Sequence, residues 1–448
     1  MKRNILKFYV VTITAVAAAS NSVRAAEVES TPAVVMSSST TTNEMTFDAL
    51  VQEALEKNPE LNFYRAEIAA TKGERRTADT IANPELSSQV GAKRSQDPQS
   101  GLSGEGVAWS VSVLQTFEYS GRLALRKAIA NRQIELAELG YAQFRAALAA
   151  RTRSLAYAVF MAQENATAAQ EVADRFQALS EVAVQREPAG ITPLLETRIM
   201  EANAVTSQRR ASESKQAARV ALLELNQLRG QPLSALLKVA ATRLSFRSPE
   251  TLDNLLDQTR TNSFELRIRQ VELTQQGFKV SLAKNEKYPA VSVGPFISEA
   301  QSGSVGEKER TVGIGISLPL PLWNRNGGNI ETAKARQQQA ETSLALTQRD
   351  VERKVIENAT AYEAKLAEMS RWRSDAPEKL REAAELADRH YRLGAVPITT
   401  YVELQKQYLE AVEAILDTKK EALEAAQMLE QLTGTTPLVS TSAKGDKP

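Results

Sequence analysis

Few side chains in this 448-residue chain are of types that do covalent or metal chemistry. There is no cysteine and one histidine, His390. A disulfide framework, a cysteine nucleophile and a Cys/His metal cage are excluded. His390 lacks the further nitrogen or sulfur ligands that a transition-metal site needs, so no metal site is expected. No Ser/His/Asp constellation, phosphate loop or dinucleotide fingerprint is present, so neither catalysis nor a cofactor is expected. Lys and Arg number 55 against 54 Asp and Glu, and four of the basic residues (Lys2, Arg3, Lys7, Arg24) lie in residues 1–25, which hold no acid. The rest of the chain is slightly acidic, which argues against nucleic acid as a partner.

What remains is charge and position at two turns. GITP (190–193) and GAVP (394–397) repeat a Gly-x-x-Pro spacing. Glycine at C′ ends a helix, and proline suits the first turn of the next. Gly190, Ile191, Thr192, Gly394, Ala395 and Val396 are therefore expected at tight helix–helix turns. Glu196 and Glu403 follow them in helix first turns, where a carboxylate favours the helix dipole. Tyr391, three residues before Gly394, suits either a packed helix seam or a bond across a closed tip.

Long helices must position these turns. Residues 120–187 contain no proline and two glycines, Gly121 and Gly140, enough for about 100 Å of helix. A similar stretch, 327–393, is interrupted by Pro377, which must kink or break it. Each is followed by a further helical segment, 192–229 and 397–432. Apolar residues step by three and four, as in Val351, Val355, Asn358, Tyr362, Leu366 and Met369, and again from Leu409 to Ala426. Many seam positions are alanine, which permits close helix approach and buries little area.

Before each long helix come two runs with period-2 patterning, 84–94 and 106–118, then 289–299 and 311–322. Val107, Trp109, Val111 and Val113 share one face. So do Val312, Ile314, Ile316 and Leu318, opposite Gly313, Gly315 and Ser317. Such strands fit a half-buried soluble sheet, with Trp109 and Trp323 in its core. They equally fit a membrane barrel, with the apolar face on lipid and the tryptophans in an aromatic girdle.

The chain is written twice. Asn58 is matched by Asn262, Gly190 by Gly394, Pro193 by Pro397 and Gly230 by Gly434, each 204 apart; Glu60–Leu61 matches Glu265–Leu266 and Pro84 matches Pro289 at 205. The expected organisation is a first repeat over 46–240, a second over 241–437 and a disordered tail over 438–448. Residues 1–25 have a basic start, an apolar stretch from Phe8 to Ala19, and Val23 and Ala25 placed for cleavage. They read as a secretory signal peptide, followed by a flexible Ser/Thr-rich lead-in over 26–45. No cysteine is available there for lipid attachment.

Four lipid-facing strands cannot stand alone, because their edges would leave N–H and C=O groups unpaired in hydrocarbon. Three chains would supply twelve strands, an even number within the range of such barrels. The fold class is thus mainly α with a small β part: long antiparallel coiled-coil hairpins plus four transmembrane strands per chain.

Several motifs resemble the TolC-like outer-membrane efflux protein family over residues 46–437. These are NPEL (58–61), LQTFEYSGR (114–122) echoed by LPLPLWNRNGG (318–328), YRLGAVPITTYVEL (391–404) and QLTGTTP (431–437). The resemblance implies a homotrimer with a twelve-stranded outer-membrane barrel and a helical periplasmic tunnel. It implies a passive exit duct for a tripartite efflux system, whose partners are a periplasmic adaptor and an inner-membrane pump of the RND type. The two turns would be the tip that meets the adaptor. The family often carries two aspartates lining the constriction; here those positions are Thr400 and Glu403, and in the first repeat Glu196 and Ile199. With Tyr391, residues Thr400, Glu403 and Glu196 are the candidate gate. NPEL and the proline-interrupted helix are similar to the heavy-metal cation branch. A drug-efflux or type I secretion duct, and a soluble periplasmic scaffold or adaptor, are the alternatives.

Overall fold

The computed structural model describes residues 44–96, 103–186, 194–240, 242–302, 307–372, 376–434 and 437–443. The signal peptide and nearly all of the lead-in lie outside them. The first half runs β1 (Glu44–Met45), α1 (Phe47–Lys57), α2 (Glu60–Ala78), β2 (Glu85–Gln96), β3 (Ser103–Phe117), α3 (Arg122–Arg186) and α4 (Leu194–Leu228). Two short strands follow, β4 (Lys238–Val239) and β5 (Thr242–Phe246). The second half runs α5 (Leu252–Asn262), α6 (Phe264–Asn285), β6 (Val291–Ser302), β7 (Glu307–Ser317), α7 (Gly327–Ser370), α8 (Ala376–Arg392), α9 (Ile398–Thr433) and β8 (Val439–Ala443). Helix α3 has 65 residues, about 97 Å of continuous helix.

The helices pack through small side chains. Ala156, Ala168, Ala169 and Ala173 are buried along α3, and Ala422, Ala425 and Ala426 along α9. Larger residues gather at two levels. Val351, Val355 and Tyr362 of α7 pack with Leu429 and Leu432 of α9. Nearer the turns, Phe176, Met200, Tyr401 and Tyr408 join α3, α4 and α9.

The 204-residue offset is a structural equivalence. Asn58 Nδ2 donates to the Leu228 carbonyl at 2.9 Å, and Asn262 Nδ2 donates to the Thr433 carbonyl at 2.9 Å. Each asparagine ties the knuckle between two short helices to the last turn of a long one. The glycines that follow take left-handed backbone, φ +63° at Gly230 and +65° at Gly434. The Gly230 N–H donates to the Gln227 carbonyl at 3.2 Å and the Gln231 N–H to that of Asn226 at 3.0 Å, the paired bonds of a Schellman cap.

In the first half a buried ion pair reinforces this knuckle. Arg229 reaches Glu53 at 2.6 Å, with both side chains nearly inaccessible, and Gln231 also donates to the same carboxylate. Burial alone would push the Glu53 carboxyl up; hydrogen bonds from Gln231, Lys57 and Arg229 outweigh it and hold the group below its ordinary value.

Three expectations are corrected. Residues 439–443 are not a disordered tail: they form β8, antiparallel to β5, with Phe246 opposite Val439. Leu438 beside them is buried, so apolar contact holds the segment down. Glu44 and Met45 leave the expected lead-in to pair with Lys238 and Val239 as a parallel β1–β4 ladder. Strand β7 stops at Ser317 rather than 322, because Pro319 and Pro321 have no N–H for a ladder. Leu318 therefore lies just past the strand. The interruption expected in 327–393 is present: α7 ends at Ser370 and α8 starts at Ala376, which places Pro377 in a first turn, where its missing N–H is harmless.

Two outcomes are expected in urea or thermal unfolding. Gly394→Ala meets nothing within 4 Å, so its cost is that of left-handed backbone alone, about 1 kcal/mol. Gly230→Ala has similar backbone strain and sets its Cβ 2.5 Å from the Lys57 carbonyl oxygen, so it is expected to cost about twice as much or more. The second outcome concerns pH. With its folded value depressed, Glu53 contributes stability above its unfolded value that is lost as pH falls through the folded one. Glu53→Gln is expected to cost about 2 kcal/mol at neutral pH and to flatten the loss of stability below about pH 5.

Candidate functional site

Two regions carry the residues singled out above: a four-stranded sheet at one end of the helices and the GAVP turn at the other. The sheet has the order β2-β3-β6-β7, with every ladder antiparallel. Successive strands therefore alternate in direction, and β2 and β7 are its edges.

Register sorts the side chains cleanly. Val111 lies opposite Ser88 and Ile297, and Ile297 opposite Val312. By alternation, Val107, Trp109, Val111, Val113, Val312, Ile314 and Ile316 all fall on one face, and Leu318 continues it. Val312 is 71% exposed and Ile314 and Ile316 are 73% exposed. Val107 and Val113 are exposed too, and Trp109 and Val111 are half-buried. Contiguous exposed apolar residues on one face mark a surface for a partner or a membrane. The other face carries Gln89, Ser110, Ser298 and Thr311 in one cross-strand row.

The sheet curls toward its polar face. Lys93 Nζ of β2 reaches Glu309 Oε2 of β7 at 3.0 Å, although two strands intervene. On a flat sheet those strands would lie about 14 Å apart. Glycine permits the curl: a Cβ on Gly106 would collide with the Gln301 carbonyl, and one on Gly294 with that of Val113. The apolar face is thus the convex one. Near the hairpin-loop end it carries Trp109 beside the Arg310–Glu299 pair at 2.9 Å, with Val107 beyond. At the helix end lie Phe117, the Tyr119–Tyr288 stack at 4.4 Å and Trp323, 93% exposed. From Trp109 to Phe117 is about 27 Å along the strand, roughly 21 Å in height after a ~40° tilt.

Chain direction changes through paired devices. Gly121, at φ +85°, and Asn326, at φ +61°, both take left-handed backbone just before a long helix and stand 205 apart. Arg122 then donates to Asn285 Oδ1 at 3.0 Å and to the Tyr288 carbonyl at 2.7 Å, and Asn326 Nδ2 donates to the Ala283 carbonyl at 2.8 Å. The Arg122 bonds tie the start of α3 to the end of α6 across the two repeats, and the Asn326 bond ties the start of α7 to α6 within the second.

At the far end, Gly394 takes φ +72°. Its N–H donates to the Tyr391 carbonyl and the Ala395 N–H to that of His390, both at 2.9 Å, another Schellman cap. Ala395 is exposed and Val396 half-buried; Pro397 then caps α9. Gly190, Ile191 and Thr192 lie outside the described residues. Thr400 and Glu403 are exposed on the first turns of α9, where Glu403 accepts from Gln407 Nε2 at 2.8 Å. Glu196 is half-buried on the first turn of α4. Tyr391 stacks on Tyr401 at 5.2 Å, and burial with the Asp388 carboxylate nearby pushes the Tyr401 phenol up.

A polar belt that sequence reasoning missed fixes α8. Gln405 is fully buried; its amide donates to the Ala384 carbonyl at 2.8 Å and accepts from Arg175 Nη1 at 3.2 Å. Arg381 reaches Glu171 at 3.0 Å, and Arg175 stands 3.7 Å from Glu385. Three helices, α3, α8 and α9, meet there. The available signal was the pair of four-residue spacings Glu171/Arg175 and Arg381/Glu385, together with a glutamine at the seam position between Tyr401 and Tyr408. Among the described residues, no group of three or more His, Cys, Asp or Glu could hold a metal ion, and no helix is long and apolar enough to cross a membrane.

Comparison with known proteins bears on this architecture. A family profile described as outer membrane efflux protein matches residues 50–231 and 255–435, once in each repeat. The chain is 28% identical over 313 residues to the cobalt-zinc-cadmium resistance protein CzcC of Cupriavidus metallidurans, covering 68% of this chain and 70% of that one. It is 22% identical over 408 residues to the pyoverdine export outer membrane protein OpmQ of Pseudomonas aeruginosa, covering 86% and 84%. In three dimensions it is similar to the CmeC outer membrane channel of Campylobacter jejuni, with a TM-score of 0.71 at 16% identity over 87% of this chain and 85% of that one. It is also similar to CusC, with a TM-score of 0.66 at 15% identity over 86% and 91%. These structures share the fold.

If Gln405 pins α8, Gln405→Leu is expected to raise amide hydrogen exchange in 380–390 about ten-fold, the effect of losing about 1.4 kcal/mol of local stability. Exchange in α7 is expected to stay unchanged.

Proposed function

The chain belongs to the outer membrane efflux protein family, and on that premise we propose that three copies form the passive outer-membrane exit duct of a tripartite efflux system. The observation that carries this reading is the curled four-stranded sheet, apolar on its convex face and bare at both edges. Strand direction alternates from β2 to β7, so β2 of a second copy against β7 of the first continues an antiparallel ladder. Three copies close it at twelve strands, which leaves no edge in hydrocarbon. Val107, Trp109, Val111, Val113, Val312, Ile314, Ile316 and Leu318 then face lipid, and Trp109 and Trp323 lie in girdles at its two borders. The long helices continue the wall as a periplasmic tunnel. The chain reaches that site by its signal peptide, without an N-terminal lipid.

The tip of the tunnel is the turn at Gly394, Ala395 and Val396 together with Gly190, Ile191 and Thr192. It is the surface offered to a periplasmic adaptor and, through it, to an inner-membrane RND pump that supplies the energy. Tyr391, Thr400, Glu403 and Glu196 make up the gate. Glu403 contributes a ring of three carboxylates, which favours cations over anions. The likeness to a cobalt-zinc-cadmium resistance protein supports heavy-metal cations as substrate. Such a duct needs no metal ligands of its own, since it has only to avoid repelling its cargo. The likeness to a pyoverdine export protein supports a second reading, export of an organic molecule.

Single-channel recording in planar bilayers tests the proposal. Purified protein is expected to give discrete cation-selective currents, and Glu403→Gln to lower the cation preference by about half while channels still form. Absence of conductance from membrane-inserted protein would overturn the duct. Unchanged selectivity in Glu403→Gln would remove that residue from the gate.

A further inference from the structure

A cavity of about 460 Å³ lies where the two repeats meet at mid-height of the helices. Phe47 and Arg153 come to it from the first half; Leu244, Leu423, Gln427 and Val439 come from the second. Its size suits a compact ligand.

The polar groups around it are short of acceptors. Gln427 is 4% exposed; its Oε1 accepts from Ser154 Oγ at 2.7 Å, and its Nε2, equally buried, has no hydrogen-bond partner. The Arg153 guanidinium stands 3.9 Å from both Asp48 and Glu430, beyond hydrogen-bond reach of either. Arg247 brings a second guanidinium to the rim. Of the nearby carboxylates, Glu430 already accepts from the Leu438 N–H at 2.7 Å, and burial pushes its carboxyl up, which weakens it as an anion. Asp48 is exposed at the mouth. Phe47, Leu244, Leu423 and Val439 supply an apolar wall.

The fold does not require these donors. At the repeat offsets of 204 and 205, Gln427 corresponds to Leu223 and Arg153 to Asn358, whose amide bonds its own helix at the Lys354 carbonyl. The other repeat therefore carries neither an unpaired amide nor a guanidinium at these positions, and Leu223 is 43% exposed where Gln427 is buried. A buried donor left unpaired destabilises the fold, and a ligand that accepts from it recovers that loss.

We propose that this cavity binds a carboxylate carried on a compact apolar body, with the carboxylate on Gln427 Nε2, Arg153 and Arg247 and the body against Phe47, Leu423 and Val439. The C-terminal end of a peptide and a short branched fatty acid share that chemistry. Bound there, the ligand bridges α1 and α3 of the first repeat to α9, β5 and β8 of the second. The site is independent of the duct reading, because every residue in it belongs to one chain.

The test is calorimetric titration of the full chain in lipid nanodiscs. The probes are 4-methylpentanoate, its neutral amide, the peptide Gly-Ala-Leu and the same peptide amidated. Saturable binding of a carboxylate form without binding of its amide is expected. Peptide binding alone identifies a chain terminus as the source, and 4-methylpentanoate binding alone a small acid. Gln427→Leu, which installs the residue of the other repeat, and Arg153→Gln are each expected to weaken binding at least ten-fold. The melting temperature of ligand-free Gln427→Leu is expected to hold or rise. Equal binding of acid and amide, no binding of any probe, or binding untouched by both substitutions would overturn the proposal.

Discussion

The backbone at the edges of one small sheet governs the rest of the molecule. Strands β2 and β7 end a four-stranded ladder, and each leaves a row of N–H and C=O groups unpaired by any other strand of the sheet. The sheet is also apolar on its exposed convex face. Water suits the edges but not the face; lipid suits the face but not the edges. Closure by further copies satisfies both, because all ladders are antiparallel and strand directions alternate. The curl that closure needs is already in the chain, since Gly106 and Gly294 let β3 and β6 approach on the polar side.

The helices follow from that constraint. In the proposed duct a barrel wall would continue into a helical wall without a gap, and each hairpin here turns sharply into its helix. Gly121 and Asn326 make that turn with left-handed backbone, and Arg122 and Asn326 bind the neighbouring helix end at once. Below, alanine seams bring the helices close but bury little area. Specific polar clamps compensate: Asn58 and Asn262 at the knuckles, Glu53 with Arg229 beside the first, and Gln405 with Arg175 around α8. Of these clamps the asparagines recur at the 204-residue offset, whereas the Glu53–Arg229 pair belongs to the first half and Gln405 to the second.

Much of this was legible in the residues, and the exceptions have physical causes. The Asn58/Asn262 and Gly230/Gly434 pairs stood out because their roles admit few substitutes: an amide reaching a helix-end carbonyl, and a residue tolerating positive φ against a neighbour. Strand faces were legible because period 2 separates valine and isoleucine from glycine and serine. Strands β1 and β4, at two residues each, carry no period at all. Strand β8 sits in a Ser/Thr-rich end whose order depends on contact with β5 and the burial of Leu438. The prolines at 319 and 321 announced an end to β7 that alternating leucines concealed. The belt around α8 looked like ordinary surface charge, because which face of a long helix meets two others is decided by tertiary packing. Thr400 and Glu403 are exposed on the first turns of α9.

The central claim is closure by three copies, and the number of chains in the membrane-extracted particle tests it most directly. Light scattering with the detergent contribution subtracted gives that number. Three chains per particle, found only in the membrane fraction, is the expected result. A water-soluble monomer or dimer would contradict the account and return the four strands to a soluble sheet.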